Sequence, residues 1–252
     1  MTDRPVALVT GAAKRVGAAV ATELASRGLD LLLTFRTSAD EASGLKQRLE
    51  RDHGVRVRTF SCDLAAPDRA AESCLEAARA AGRLDVLVHN ASAYFATPLT
   101  DGVAWATARD LYAINAASPL CISAALAPLL RDSALEGGGS IIAMADIHSM
   151  GRPRKDFAAY SMSKAALIEL VQTLARDLAP HARANAVAPG VVAWPESGYE
   201  SDQETQQAYL NRVPLRRAGS PTDAAKLIAA LALEHTYING EIIRLDGGRW
   251  LA

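Results

Sequence analysis

Tyr160 and Lys164 stand four residues apart in "YSMSK", and Asp146 precedes the tyrosine by fourteen. On a helix that spacing puts both side chains on one face, so the ammonium can lie beneath the phenol. A free tyrosine titrates at about pH 10, and a neighbouring cation favours its phenolate. By itself such a pair is more often structural; placed after a strand of a dinucleotide-binding pattern it predicts proton transfer, with a lysine that can also hold a cofactor ribose. Asp146 is the less expected member. Reduction of a carbonyl asks only for a donor to oxygen, which a hydroxyl supplies. A C=N bond asks for a full proton on nitrogen, which a carboxyl can deliver or relay. Alternatively, Asp146 caps a helix, or stands where a serine would serve a different carbonyl.

A second cluster lies near the N-terminus. In "TGAAKRVGAAV" Gly11 follows an apolar run and allows a tight turn, while Gly17 allows close approach of helix and ligand. A helix starting there would aim its N–H groups and dipole at a pyrophosphate. The next apolar run ends in Arg36, Thr37 and Ser38, where an acidic residue would select a ribose hydroxyl and an arginine a 2′-phosphate. With Arg15 entering from the glycine loop, two guanidinium groups and two hydroxyls point to NADPH over NADH.

The elements that must position these residues alternate along the chain. Strands are expected at 6–10, 30–35, 55–63, 84–92, 137–146, 183–190 and 241–248. Helices are expected at 15–27, 39–52, 68–81, 103–131, 158–179 and 222–234. Such alternation predicts an α/β fold, a single-domain doubly wound parallel sheet over residues 1–252 with helices on both faces. Asn90, Pro189 and Gly190 then sit at strand ends facing the ligand crevice of an open sheet. The segment 193–221 has no clear periodicity and is read as a substrate loop or a surface excursion.

Composition narrows the classes. Half of the 252 residues are apolar and the net charge is −1, which leaves no electrostatic footprint for nucleic acid or an anionic membrane. Three cysteines without paired spacing read as reduced thiols, and no histidine pattern suggests a metal. The stretch 116–130 is short for a membrane span. "MTDRPVALVTG" runs into a strand pattern without a basic, apolar leader, so a soluble cytoplasmic protein is expected.

Taken together, "LVTGAAKRVG", "HNAS", Asn115, Tyr160 with Lys164 and the terminal "LDGGRWLA" resemble the short-chain dehydrogenase/reductase family over essentially the whole chain. Arg15 replaces that family's second loop glycine, and "HNAS" its usual "NNAG". Both departures, with "HNASAYFATPL", Asp146 and "PGVVAWPE", are similar to the pteridine reductase branch, including dihydromonapterin and dihydrofolate reductase types. The resemblance implies a seven-stranded Rossmann-type sheet, NADPH, a pterin or folate substrate and a homotetramer. It places Lys14, Arg15, Val16, Asp63, Leu64, Ala91 and Ser92 with the cofactor. It gives Tyr94 the stacking position against a pterin, lets Ser92 bond both ligands, makes Trp194 a pocket wall and has Asn115 support the lysine. Two other readings stay open: a carbonyl reductase or alcohol dehydrogenase acting on, for example, a 3-oxoacyl thioester, and a non-catalytic NADP-binding sensor or scaffold.

Overall fold

A computed structural model describes residues 4–195 and 199–252. In chain order the elements are β1 (Val6–Val9), α1 (Arg15–Ser26), β2 (Asp30–Phe35), α2 (Ala39–His53), β3 (Val57–Ser61), α3 (Pro67–Ala81) and β4 (Val86–His89). Then follow α4 (Trp105–Tyr112), α5 (Ser118–Arg131), β5 (Gly139–Met144), α6 (Ala158–Asp177), β6 (Ala182–Pro189), α7 (Gln203–Leu210), α8 (Pro221–Leu233) and β7 (Ile242–Leu245). The seven strands form one parallel sheet in the order β3-β2-β1-β4-β5-β6-β7. This is the doubly wound Rossmann-type architecture expected from the alternating pattern.

Successive strand residues point to opposite faces, and both faces are covered. Leu8, Leu87 and Ile141 pack against α3, α5 and α6 through Cys74, Leu126 and Val171. Ala7, Val9, Val88 and Ile142 pack on the other side against Val20 and Leu24 of α1, Leu45 of α2 and Ile228 of α8. Two buried faces explain why the strands read as unbroken apolar runs. Chain order reverses between β1 and β4, so their C-terminal ends open the crevice where such sheets bind ligands.

Two elements depart from the sequence-based expectation. The helix expected over 103–131 is interrupted at Ala113–Ala117 by a single π-turn. Pro119 has no N–H to give the carbonyl of Asn115, so the α-helical register fails at that point. The resulting turn carries Asn115 inward, where it is 1% exposed. From Trp105 to Arg131 this helical run is long and apolar enough to span a membrane by length and composition. Here Leu111, Ile122, Leu126 and Leu130 are buried within the fold. The segment 193–221, expected to lack regular structure, contains α7, whose N-terminus is capped by the Asp202 carboxylate accepting from Thr205 N at 2.9 Å.

Candidate active site

The C-terminal ends of β1, β4, β5 and β6 surround a cleft of about 860 Å³ lined by Lys14, Arg15, Val16, Asn90, Ser92, Tyr94, Asp146, Tyr160, Lys164, Pro189 and Gly190. Eleven of the sequence-selected residues therefore meet in one cavity.

At its centre, Asp146 follows β5 and uses its two carboxylate oxygens differently. Oδ1 accepts from the backbone N–H of His148 at 2.7 Å and caps a short helical turn. Oδ2 accepts from the phenol of Tyr160 at 2.8 Å. The cap reading and the chemical reading are thus both realised, one on each oxygen. Tyr160 lies in the first turn of α6, 5% exposed. Burial, and then the charge and hydrogen bond of Asp146, raise its pKa well above the ordinary 10.

This corrects the expectation that Lys164 would favour the phenolate. The ammonium does not reach the phenol; it donates to the carbonyl of Met144 at 2.7 Å. Its own pKa is pulled down to about 8, chiefly by burial. Tyr160 is consequently a neutral phenol that donates to a carboxylate. His148 also lines the cleft, and burial lowers its pKa.

The Asn115 side chain is fully used in holding the site together. Its Oδ1 accepts from the Ser92 hydroxyl at 3.0 Å and Ala93 N at 2.9 Å. Its amide donates to Ala93 O at 2.9 Å and Ser163 Oγ at 3.0 Å. The π-turn thus fixes the loop after β4 on α6, one residue from Lys164.

The glycine loop is folded tightly on the ends of β1 and β4. Gly11 has φ +63° and donates its N–H to Thr34 Oγ1 at 3.0 Å. A Cβ on Gly17 would lie 2.3 Å from Gly11 O and 2.6 Å from Asn90 Nδ2. The Asn90 amide itself donates to Thr10 O and Gly11 O at 2.9 and 3.0 Å. A residue selected for facing the crevice therefore also holds the loop's shape. Ala91 packs beside it, its Cβ 2.8 Å from where a Cβ on Gly11 would fall.

Arg15 does not approach Arg36. Its guanidinium donates to the carbonyls of Ala193 and Trp194 at 3.0 and 2.9 Å, tying the glycine loop to the segment after β6. Its backbone φ of +52° helps set that direction. Lys14, not Arg15, reaches toward α2, where it pairs with Glu41 at 2.5 Å. Arg36 and Thr37 are exposed at the tip of β2, and Ser38 is the residue before α2. Asp63 is exposed and accepts from Ala65 N at 3.0 Å. The side chain of Leu64 is in the core, and its carbonyl accepts from Ser118 Oγ at 2.7 Å, so only its backbone edge is left for a ligand.

The opposite wall is aromatic. Tyr94 stacks on Phe157 with ring centroids 4.8 Å apart and an angle of 22°, and meets Tyr160 edge-on at 4.9 Å. Trp194 contacts Tyr209 edge-on at 5.6 Å, and Tyr209 is the one that lines the cleft. Phe157, Arg154, Glu200 and Tyr209 were not selected from the sequence. Only Phe157 carried a local signal, lying one helical turn before Tyr160.

A dinucleotide fits this arrangement on two counts: the tightly folded Gly11–Gly17 loop, where a side chain at either glycine would collide with the loop's own carbonyl, Asn90 or Ala91 and whose Lys14, Arg15 and Val16 line the cleft, and exposed Arg36 at the strand end where a 2′-phosphate would be read. Among the described residues no cluster of three metal-binding side chains occurs.

Known proteins match this chain along its length. Residues 11–249 match the family model described as enoyl-(acyl carrier protein) reductase. An uncharacterised oxidoreductase of Mycobacterium tuberculosis is 33% identical, over 98% of this chain and 92% of its own. Pteridine reductase 1 of Leishmania tarentolae is 31% identical, over 97% of this chain and 96% of its own. Among solved structures, a short-chain dehydrogenase of Burkholderia cenocepacia in complex with NADP superposes with a TM-score of 0.88 at 31% identity, covering 97% of each chain. An acetoin dehydrogenase of Salmonella typhimurium superposes with a TM-score of 0.88 at 28% identity, covering 99% of this chain and 97% of that one. The chain belongs to the short-chain dehydrogenase/reductase family and is an oxidoreductase of that family.

Proposed function

We propose that this oxidoreductase reduces a dihydropterin, of the dihydromonapterin, dihydrobiopterin or dihydrofolate type, to its tetrahydro form. Its cofactor is NADP(H), in keeping with the NADP-bound relatives and the glycine loop described above. Lys14, Val16, Asn90, Ser92, Lys164, Pro189 and Gly190 line the space in which it would lie, Gly11 sets the turn that leads into it, and Arg36, Thr37 and Ser38 stand where its 2′-phosphate would be read. When bound, NADPH supplies the hydride.

The observation that carries the substrate reading is the hydrogen bond from Tyr160 to Asp146. A carboxylate held against a neutral phenol forms a path along which a proton can pass to a ring nitrogen. Asp146 is fixed by its second oxygen on His148 N, so the path has one geometry. Tyr94 and Phe157 offer a flat aromatic wall beside Tyr160, suited to a planar bicyclic substrate. Ser92, oriented by Asn115, can bond cofactor and substrate together. The similarity to a pteridine reductase supports the same reading.

A second reading, reduction of a small ketone, is favoured by the likeness to acetoin dehydrogenases. An NADPH-oxidation screen across dihydromonapterin, dihydrobiopterin, dihydrofolate and acetoin separates the two. The pterin reading expects turnover of at least one dihydropterin well above that of acetoin, and a slower rate with NADH. Preferential turnover of acetoin would replace it, and equal rates with NADH would remove the phosphate-reading role of Arg36. Cytoplasmic localisation is part of the same proposal.

A further inference from the structure

The aromatic wall ends in an ion pair. Glu200, from the segment between β6 and α7, accepts from the Tyr94 phenol on Oε2 at 2.9 Å and from the Arg154 guanidinium on Oε1. Arg154 comes from the loop between β5 and α6, its guanidinium carbon 4.6 Å from the centroid of Phe157 and 5.7 Å from that of Tyr94. The two charged side chains are only 23% and 14% exposed, and both line the cleft. Gln206 of α7 donates to the Glu200 backbone carbonyl at 3.0 Å, so the main chain that carries this carboxylate is tied to α7. Three loops, after β4, β5 and β6, therefore converge on one carboxylate at the substrate side of the site.

We propose that the Arg154–Glu200 pair is a charge filter, and that the preferred substrate carries an uncharged, hydrogen-bonding side chain where it meets this pair. The substrate class rests on the pterin reading: a hydroxylated pterin is favoured over a folate with its glutamate carboxylates. An anionic side chain entering here meets a guanidinium already matched by Glu200, together with the carboxylate itself. It gains little from the first and is repelled by the second. A hydroxylated side chain can donate to the carboxylate without that cost. Mutual neutralisation in a partly buried cleft is what makes the pair selective, because interactions between charges there are screened less than at the open surface.

Opposite substitutions must then act oppositely. Glu200→Gln removes the negative charge and keeps an oxygen that the Tyr94 phenol can bond, so the aromatic wall is retained. Arg154→Met removes the positive charge and keeps an unbranched side chain over Phe157. The measurement is the ratio of kcat/KM for dihydrofolate to that for dihydromonapterin, together with the same ratio for an aryl methyl ketone carboxylate and its uncharged ester. Glu200→Gln is expected to raise both ratios about threefold to tenfold at low salt, and Arg154→Met to lower them by a similar factor. Added salt should shrink both changes. Ratios that stay constant, or move the same way in both variants, would overturn the filter. If the unaltered protein turned over the ketones and no pterin, the pterin reading would fail, and the filter would be judged on the ketone pair alone.

Discussion

His89 stands in "HNAS", where the family's usual pattern has asparagine, and it is fully enclosed beneath the site. Its Nε2 lies 2.8 Å from Ser123 Oγ. Burial, and then the nearby Lys164 ammonium, pull its pKa from 6.5 to about 3. As the pH falls between those values, the unfolded chain takes up a proton that the folded chain refuses. The stability present above 6.5 is therefore lost progressively toward about 3. His89→Asn is expected to flatten this acid limb, measured as the difference in urea midpoint between neutral pH and a pH inside that window. An unchanged difference would contradict the linkage. At this scale Asp146 and Tyr160 were legible because helix geometry and proton chemistry are local. The partner of Lys164 was not, since spacing fixes the face of a helix but not the acceptor, and the Met144 carbonyl arrives through strand pairing. Arg154 and Glu200 were invisible for the same reason, being joined across 46 residues.

The elements were legible where burial imposes a pattern. Strands covered on both faces must be apolar throughout, and α1 must show one apolar stripe to meet the sheet. α7 contributes no fully buried residue, so nothing in its sequence announced a helix. The π-turn was announced only by Pro119, which shows that a hydrogen bond is missing but not how the chain absorbs the loss. The outer faces of the same helices carry a further consequence. Trp105 and Tyr112 of α4, Leu120 of α5 and Met162 of α6 are about half or more exposed, at 75%, 53%, 49% and 72%. Large apolar side chains clustered on neighbouring helices suit association between copies. We propose that these faces pair in a homotetramer, with light scattering expected at four chain masses of 26.6 kDa. A mass of one chain at micromolar concentration would remove the proposal, and Trp105→Glu is expected to weaken the assembly.

At the scale of the whole molecule, the parallel sheet brings residues distant in sequence to one edge and gives each a different task. The β1 end supplies the glycine loop, the β4 end Ser92 and Tyr94, the β5 end Asp146, and the β6 end the segment held by Arg15 and Glu200. Within this frame the same phenol and ammonium could serve many carbonyl substrates, and under the pterin proposal Asp146 is what favours a ring nitrogen. The most direct test compares NADPH oxidation by the unaltered protein and Asp146→Ser, with a dihydropterin and with acetoin as substrates. Loss of the proton path predicts that Asp146→Ser slows dihydropterin reduction about a hundredfold or more while leaving acetoin turnover within a few-fold. Full dihydropterin reduction by Asp146→Ser would contradict the assignment.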